Sequence, residues 1–276
     1  MKALITKNQE IADSIIKAIL SSVGERILEI LTMLGGVGIM FKQVLKELVV
    51  APFYPELVVE QIYFVGIRSM SIVFVTALST GMVMALQFGI GLEKFGGKLY
   101  VPKIVSLSII REVGPVFCSL MLAARVGAGI ASEIASMVVT QQVDAIRALG
   151  TSPIKRIVIP RILACLIALP ILSGIGNMIG VAGGLIVGQH ELAIDPGFYY
   201  EKIFQTVNIM DYMTGIMKTF FFAFFLSVVS CYFGLSVKGG TQGVGIATTR
   251  AVVTSSIMIL ISDFFLTKLF FMLFES

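Results

Sequence analysis

Five stretches of this chain, residues 62–91, 104–137, 157–188, 212–235 and 245–273, are apolar over more length than a bilayer requires. A hydrocarbon core of about 30 Å takes ~20 helical residues to cross. No water reaches backbone N–H and C=O groups at that depth, so a span of this length satisfies them internally, as a helix. With 57% hydrophobic and 14% charged residues, the chain also has too little polar surface to cover a soluble globule of 276 residues. The expected fold class is an all-α integral membrane protein in which residues 51–276 form a transmembrane domain of five helices.

Residues 1–50 read differently. Ile11, Ile15, Ile19, Val23 and Ile27 recur every four residues with Lys7, Glu10, Asp13 and Lys17 between them. This describes an amphipathic helix, lying on the membrane surface or packed against the rest of the protein. The basic tip, apolar block and small-residue cleavage site of a signal peptide are missing from the start. From Ile27 to Phe41 the chain is apolar over only about 22 Å, interrupted by Glu29 and three glycines, and is expected to be interfacial or re-entrant. Of the 21 Lys and Arg, a cytoplasmic N-terminus puts thirteen inside and seven outside, Lys218 among the latter, with Arg125 within a span. Positive charge concentrates on the inner side of membrane proteins, which favours this orientation and an external C-terminus.

Several chemistries are excluded by what the chain lacks. Cys118, Cys165 and Cys231 each sit in an apolar run without CxxC or Cys/His spacing, so no disulfide framework or metal site is expected. The closest approach to a phosphate-binding loop, G-L-E-K-F-G-G-K-L, has neither the spacing nor the hydroxyl of G-x-x-x-x-G-K-[ST]. His190 is the single histidine, which removes H-E-x-x-H zinc chemistry. Basic residues are scattered rather than clustered with aromatics, against nucleic-acid binding.

The charges inside the spans need a reason, since each costs about 2.5–3.5 kcal/mol on insertion scales. Arg111 and Glu112 open the second span, Arg125 and Glu133 follow on it, and Asp263 lies deep in the fifth and needs a partner or a cavity. Arg125 and Glu133, eight residues apart, are expected to lock helices together. Gly176, Gly180, Gly184 and Gly188 form a four-residue repeat on the third span that lets another helix approach closely, in the same chain or a second copy. Phe220, Phe221, Phe222, Phe224 and Phe225 cover the whole circumference of the fourth span and are expected to face lipid. Between the second and third spans, Val143, Ile146 and Leu149 repeat every three residues beside Asp144 and Arg147, ended by Gly150 and Pro153. That pattern fits a short amphipathic cytoplasmic helix or a surface loop.

Four runs carry a resemblance: R-E-V-G-P-V from Arg111, A-A-R-V-G-A-G-I-A-S-E-I-A-S-M from Ala123, V-T-Q-Q-V-D-A-I-R-A-L-G-T-S-P from Val139, and G-V-G-I-A-T-T-R-A-V-V-T-S-S from Gly243. Together with Pro160 and Arg161, they make residues 60–273 resemble the MlaE (YrbE) permeases. The resemblance implies a homodimeric permease of an ABC transporter that moves phospholipid between the bacterial inner membrane and a periplasmic MCE-domain hexamer. A separate cytoplasmic ATPase, carrying a small STAS-type accessory subunit, would bind the ATP and Mg, leaving this chain with no cofactor or metal of its own and no catalytic residue. The family's coupling helix maps onto Thr140, Gln141, Gln142, Val143, Asp144, Ala145, Ile146 and Arg147. Gln141 stands where Glu is common, and Ile246 where a basic or polar residue is usual, so contacts with the ATPase are expected to differ at both.

A lipid site is expected between two copies in the outer half of the membrane, with Met82, Leu86, Gln87, Arg111, Glu112 and Leu120 lining it. Arg111 would hold a headgroup phosphate and Glu112 would shape the pocket or pair with a cation; the competing reading is a purely structural ion network. Two other functional classes compete with this reading. A self-sufficient secondary carrier commonly shows inverted repeats, and no internal repeat is visible. A lipid-modifying enzyme needs a convergent acid, base or metal set, for which Asp263 and Glu112 are too sparse.

Overall fold

In a computed structural model, the structure describes residues 24, 25, 27, 28, 31–47 and 54–274. The amphipathic pattern expected from Ile11 to Val23 lies outside the described residues. Helix α1 (31–47) is followed by a first rod made of α2 (Pro55–Val65) and α3 (Met70–Glu93), joined by a 3-10 turn at Ile67–Ser69. The second rod contains α4 (Val101–Ser108), α5 (Gly114–Leu122) and α6 (Ala128–Val139), with π-helical segments at Ile109–Val113 and Ala123–Gly127 between them. After the short α7 (Gln142–Ala148), a π-helical turn at Ile154–Val158 leads into α8 (Ile159–His190). Helix α9 (Pro196–Thr206) connects α8 to α10 (Ile209–Leu235), and α11 (Gly240–Phe274) is the last described helix.

Among the described residues five rods are long and apolar enough to cross a membrane: Pro55–Glu93, Lys98–Val139, Ile154–His190, Ile209–Leu235 and Gly240–Leu273. They contain the five apolar stretches read from the sequence, most of them extended at both ends by a few polar or capping residues. Local sequence explains several of these ends. Pro55, Pro102 and Pro196 occupy first-turn positions, where a missing N–H costs nothing. Asp195 accepts the Phe198 N–H at 2.9 Å, and Asn208 with Asp211 forms a capping box that starts α10. Gly150, at φ +72°, turns the chain out of α7 in a conformation that a Cβ would resist.

The centre of the bundle is α8, whose most apolar window is 78% buried, against 22% for the α2–α3 rod and 17% for α11. Leu169 and Leu172 of α8 meet Phe222 and Leu226 of α10 and Ile130 and Ile134 of α6 in one core cluster. Since lipid is as apolar as these side chains, close packing rather than transfer from water rewards such contacts. The glycine repeat supplies the closest approach: a Cβ added to Gly81 of α3 would lie 1.8 Å from the Gly180 carbonyl oxygen. Gly176 faces Val73 and Ala77 of α3, whereas Gly184 and Gly188 face Tyr199 of α9. Each four-residue step turns the strip about 40° around the helix, so it passes from one neighbour to the next. The partners of the strip are thus in the same chain.

One expectation needs correction. Phe222 is fully buried and Phe224 packs edge-on against Phe41 at 4.9 Å, so the fourth-span phenylalanines are not all lipid-facing bulk; Phe220 and Phe221 are exposed. Nearly consecutive residues must point to every side of a helix, including its packed side. Helix α1 runs on past Phe41, buries Met40 and Val44 in the core, and ends near α7, where Glu47 accepts a hydrogen bond from Ser152 at 2.7 Å. Over its described residues it is not among the rods long and apolar enough to span.

Candidate functional site

The site begins with a proline. Pro115 has no N–H to offer the carbonyl of Arg111 one turn earlier, and the helix there widens into the π-helical segment Ile109–Val113. Lys218 of α10 fills the vacant donor role, its Nζ lying 3.2 Å from the Arg111 carbonyl oxygen. The same ammonium lies 2.6 Å from Glu112, 3.2 Å from Asp263 and 2.7 Å from Thr267 Oγ1, so that four acceptors share its three protons. Lys218 is only 2% exposed. A buried ammonium persists when carboxylates face it and its donors are used, and both conditions hold here.

Arg111 makes the second half of the site. Its Nε and Nη2 donate to Oδ1 of Asp211 at 2.8 and 2.5 Å, and its guanidinium carbon stands 5.6 Å from the Phe271 ring centroid. The other carboxylate oxygen of Asp211 accepts the Asn208 N–H at 2.9 Å, so the capping box of α10 also orients the partner of Arg111. A pocket of about 140 Å³ opens over these groups, lined by Arg111, Glu112, Asn208, Met210, Asp211, Thr214, Lys218, Thr267, Phe270 and Phe271. Its lining balances two cations against two carboxylates, with aromatic and Met side chains beside them. Such a pocket can hold a polar headgroup while apolar chains leave along the helices. Among the described residues no group of His, Cys, Asp and Glu is arranged to hold a metal ion.

The structure brings Arg111 and Glu112 to this pocket but not the other four expected residues. Met82, Leu86 and Gln87 lie on α3, the last two exposed, and Leu120 packs on the main core. Lys218, counted above with the outer charges, is instead inside the bundle. Sequence reasoning also missed Asp211 and Thr267. A lysine amid the apolar residues of the fourth span, and Asn208 three before Asp211, were the available signals.

A family model described as Permease MlaE matches residues 58–269. The chain belongs to the MlaE permease family. A probable ABC transporter permease protein of Rickettsia conorii is 41% identical over 253 residues, covering 92% of this chain and 98% of that protein. A second, from Synechocystis, is 39% identical over 212 residues, 77% of this chain and 81% of its own length. The intermembrane phospholipid transport system permease protein MlaE of Haemophilus influenzae is 31% identical over 254 residues, 91% of this chain and 97% of that protein.

In this MlaE-family chain the segment from Thr140 to Arg147 is a turn followed by α7. Gln141 opens it at φ +59°, a left-handed conformation uncommon for residues other than glycine. Val143 is buried and Ile146 packs on the core, while Asp144 and Arg147 pair at 2.8 Å on the exposed side. Leu149 is 78% exposed and does not join the buried stripe. A three-residue step falls 60° short of a full turn, so by Leu149 the pattern has rotated away from the bundle.

Arg125 and Glu133 do not form a single lock. Arg125, inside the second π-helical segment, donates to the Ser69 hydroxyl at the α2–α3 junction, whereas Glu133 pairs with Arg161 of α8 at 2.9 Å. Eight residues overshoot two turns by about 80°, enough to aim the two side chains at different neighbours. Each still ties the second rod to another helix.

Proposed function

We propose that this multi-pass membrane protein is the permease subunit of an ATP-driven phospholipid transporter, working as a homodimer with a separate cytoplasmic ATPase and delivering to or receiving from a periplasmic MCE-domain hexamer. The observation that carries the reading is the charge-balanced pocket of Arg111, Asp211, Glu112 and Lys218 with Phe270 and Phe271 at its side, within the spans of a chain similar to a phospholipid transport permease. Arg111 would meet the headgroup phosphate by charge-assisted hydrogen bonds, and the pocket would open and close as the π-helical segment shifts against α10. ATP and Mg belong to the partner, as does any STAS-type subunit.

Helix α7 would be the lever. Val143 and Ile146 fix it to the bundle, and the exposed Asp144, Arg147 and Leu149 are presented to the ATPase. A rigid helix gripped on one side and docked on the other can pass ATPase closure to the spans. The weak burial of the α2–α3 rod and α11 supports a second copy covering part of these faces. Leu86 and Gln87, exposed on α3, would then approach the pocket from the partner side. With more Lys and Arg on the side of the N-terminus, α7 would lie in the cytoplasm and the C-terminus in the periplasm of a bacterial inner membrane.

Affinity purification of the tagged protein from cells tests the assembly. Co-isolation of an ATPase and an MCE-domain protein is the expected result; a chain that purifies alone and carries lipid-dependent activity by itself would overturn it.

A further inference from the structure

Among the described residues, intramembrane cations pair with carboxylates: Arg111 with Asp211, Arg161 with Glu133, and Lys218 with Glu112 and Asp263. Arg68 and Arg125 do not follow the pattern. Among the described residues neither is in ion-pair contact with a carboxylate, yet one phenyl ring holds both. The guanidinium carbon of Arg68 lies 5.7 Å from the Phe64 centroid and that of Arg125 lies 5.9 Å from it. Arg125 also donates to Ser69, whose hydroxyl is committed to the Val65 carbonyl at 2.5 Å. A ring face and a hydroxyl compensate a guanidinium only in part. Two like charges on one ring in a membrane rod leave a place for an anion from outside the chain.

The surroundings say which anion. Arg68 is exposed at the α2–α3 junction, and Tyr63, Ile67 and Phe74 beside it are exposed apolar side chains at 51%, 63% and 48%. Its side chain folds back over Tyr63, at 5.7 Å, and Phe64, toward the start of α2 and thus toward the end of the bundle that carries α7. Arginines snorkel in this way to the headgroup level of the nearer leaflet, where tyrosine is also enriched. Phe64 in turn rests against Gly129 of α6, 3.5 Å from where a Cβ would stand, so the missing side chain lets the ring reach α6 with Arg68 and Arg125 each within 6 Å of its centroid. A free inorganic anion would meet an apolar wall here; a phosphate with acyl chains attached would not.

We propose that Arg68 and Arg125 clamp the phosphate of a phospholipid in the leaflet on the α7 side, its acyl chains lying along the exposed face of the first rod. The site is separate from the Arg111 pocket. Arg125 and Arg111 are fourteen residues apart on one rod, about 21 Å along a helix. Phosphate recognition by a planar guanidinium is bidentate and directional, which lysine reproduces only as a point charge. The site rests on the geometry at Phe64 and stands whether or not the chain transports lipid.

The test is native mass spectrometry of the full chain in detergent, titrated with dioctanoyl phosphatidylglycerol in an Arg111→Gln background that silences the other pocket. One saturable lipid per chain is expected. Arg68→Gln, a change at an exposed position, is expected to raise its half-saturating concentration about tenfold, the usual effect of losing one charge-assisted hydrogen bond, with Arg68→Lys in between. Thermal unfolding of each variant in parallel confirms that it is folded. Unchanged binding in Arg68→Gln overturns the proposal. So does displacement of the lipid by equimolar inorganic phosphate, which marks a simple anion site, or a change in subunit number in place of lipid binding, which assigns the arginines to a second copy.

Discussion

Lys218 of α10 and Asp263 of α11 stand 3.2 Å apart across a separation of 45 residues, and Lys218 also grips Glu112 of the second rod at 2.6 Å. One buried ammonium therefore joins three spans at the floor of the pocket. Replacing Lys218 with Met would strand two carboxylates in the membrane region. Breaking a buried pair costs about 3–5 kcal/mol; the lower end is expected here, because the Glu112 side chain is 37% exposed. Thermal unfolding in detergent should show the loss, and adding Glu112→Gln with Asp263→Asn should restore most of it. An unchanged midpoint in the single variant would mean the network carries no stability.

The backbone contact of α3 with α8 should tolerate no side chain. Gly81→Ala puts a methyl 1.8 Å from the Gly180 carbonyl oxygen, where only movement of a whole helix gives relief. Overpacking usually costs about 1–3 kcal/mol, and the upper end or beyond is expected. Gly245→Ala, where nothing lies within 4 Å, is the matched control and should melt like wild type.

Leu149→Asp should separate coupling from folding. The side chain is 78% exposed, so the unfolding midpoint should stay put while co-isolation of the ATPase falls. Breaking the exposed Asp144–Arg147 pair should likewise leave stability within about 1 kcal/mol. Retained ATPase binding in Leu149→Asp would remove this face of α7 from the interface.

Tyr199 gives a pH test. It is 1% exposed beneath Gly184 and Gly188, its hydroxyl has no hydrogen-bond partner among the described residues, and burial raises its pKa above the ordinary phenol range. The unfolded phenol ionises near pH ~10 while the folded one stays protonated, so its share of stability is intact below that pH and is lost as pH rises through and beyond it. Tyr199→Phe should match or slightly exceed wild-type stability at neutral pH and lose less between about pH 9 and 11. Parallel alkaline losses in the two proteins would contradict this.

Much of the fold was legible because a bilayer imposes length and polarity on each segment separately. The five rods and α7 follow from such local rules. Pairing across the bundle does not: Asp211 lies 100 residues from Arg111, and nothing local to either names the other. Asp263 announced its need for a partner, but Lys218 was hidden by being counted as an outer charge. The π-helical segments were also invisible, although Pro115 could have shown that the Arg111 carbonyl needed another donor. Leu149 was misplaced because a three-residue repeat imitates a helix face only over a few steps.

Central to the account is the claim that the Arg111 pocket handles phospholipid during ATP-driven movement. The direct measurement is ATP-dependent transfer of labelled phospholipid in proteoliposomes containing the permease with its co-isolated ATPase and MCE partner. Arg111→Ala and Glu112→Ala are expected to lower the transfer rate at least about tenfold, as loss of a charge-assisted contact would, with the complex still assembled and hydrolysing ATP. Full transfer in both variants would contradict the account and leave these residues a structural network alone.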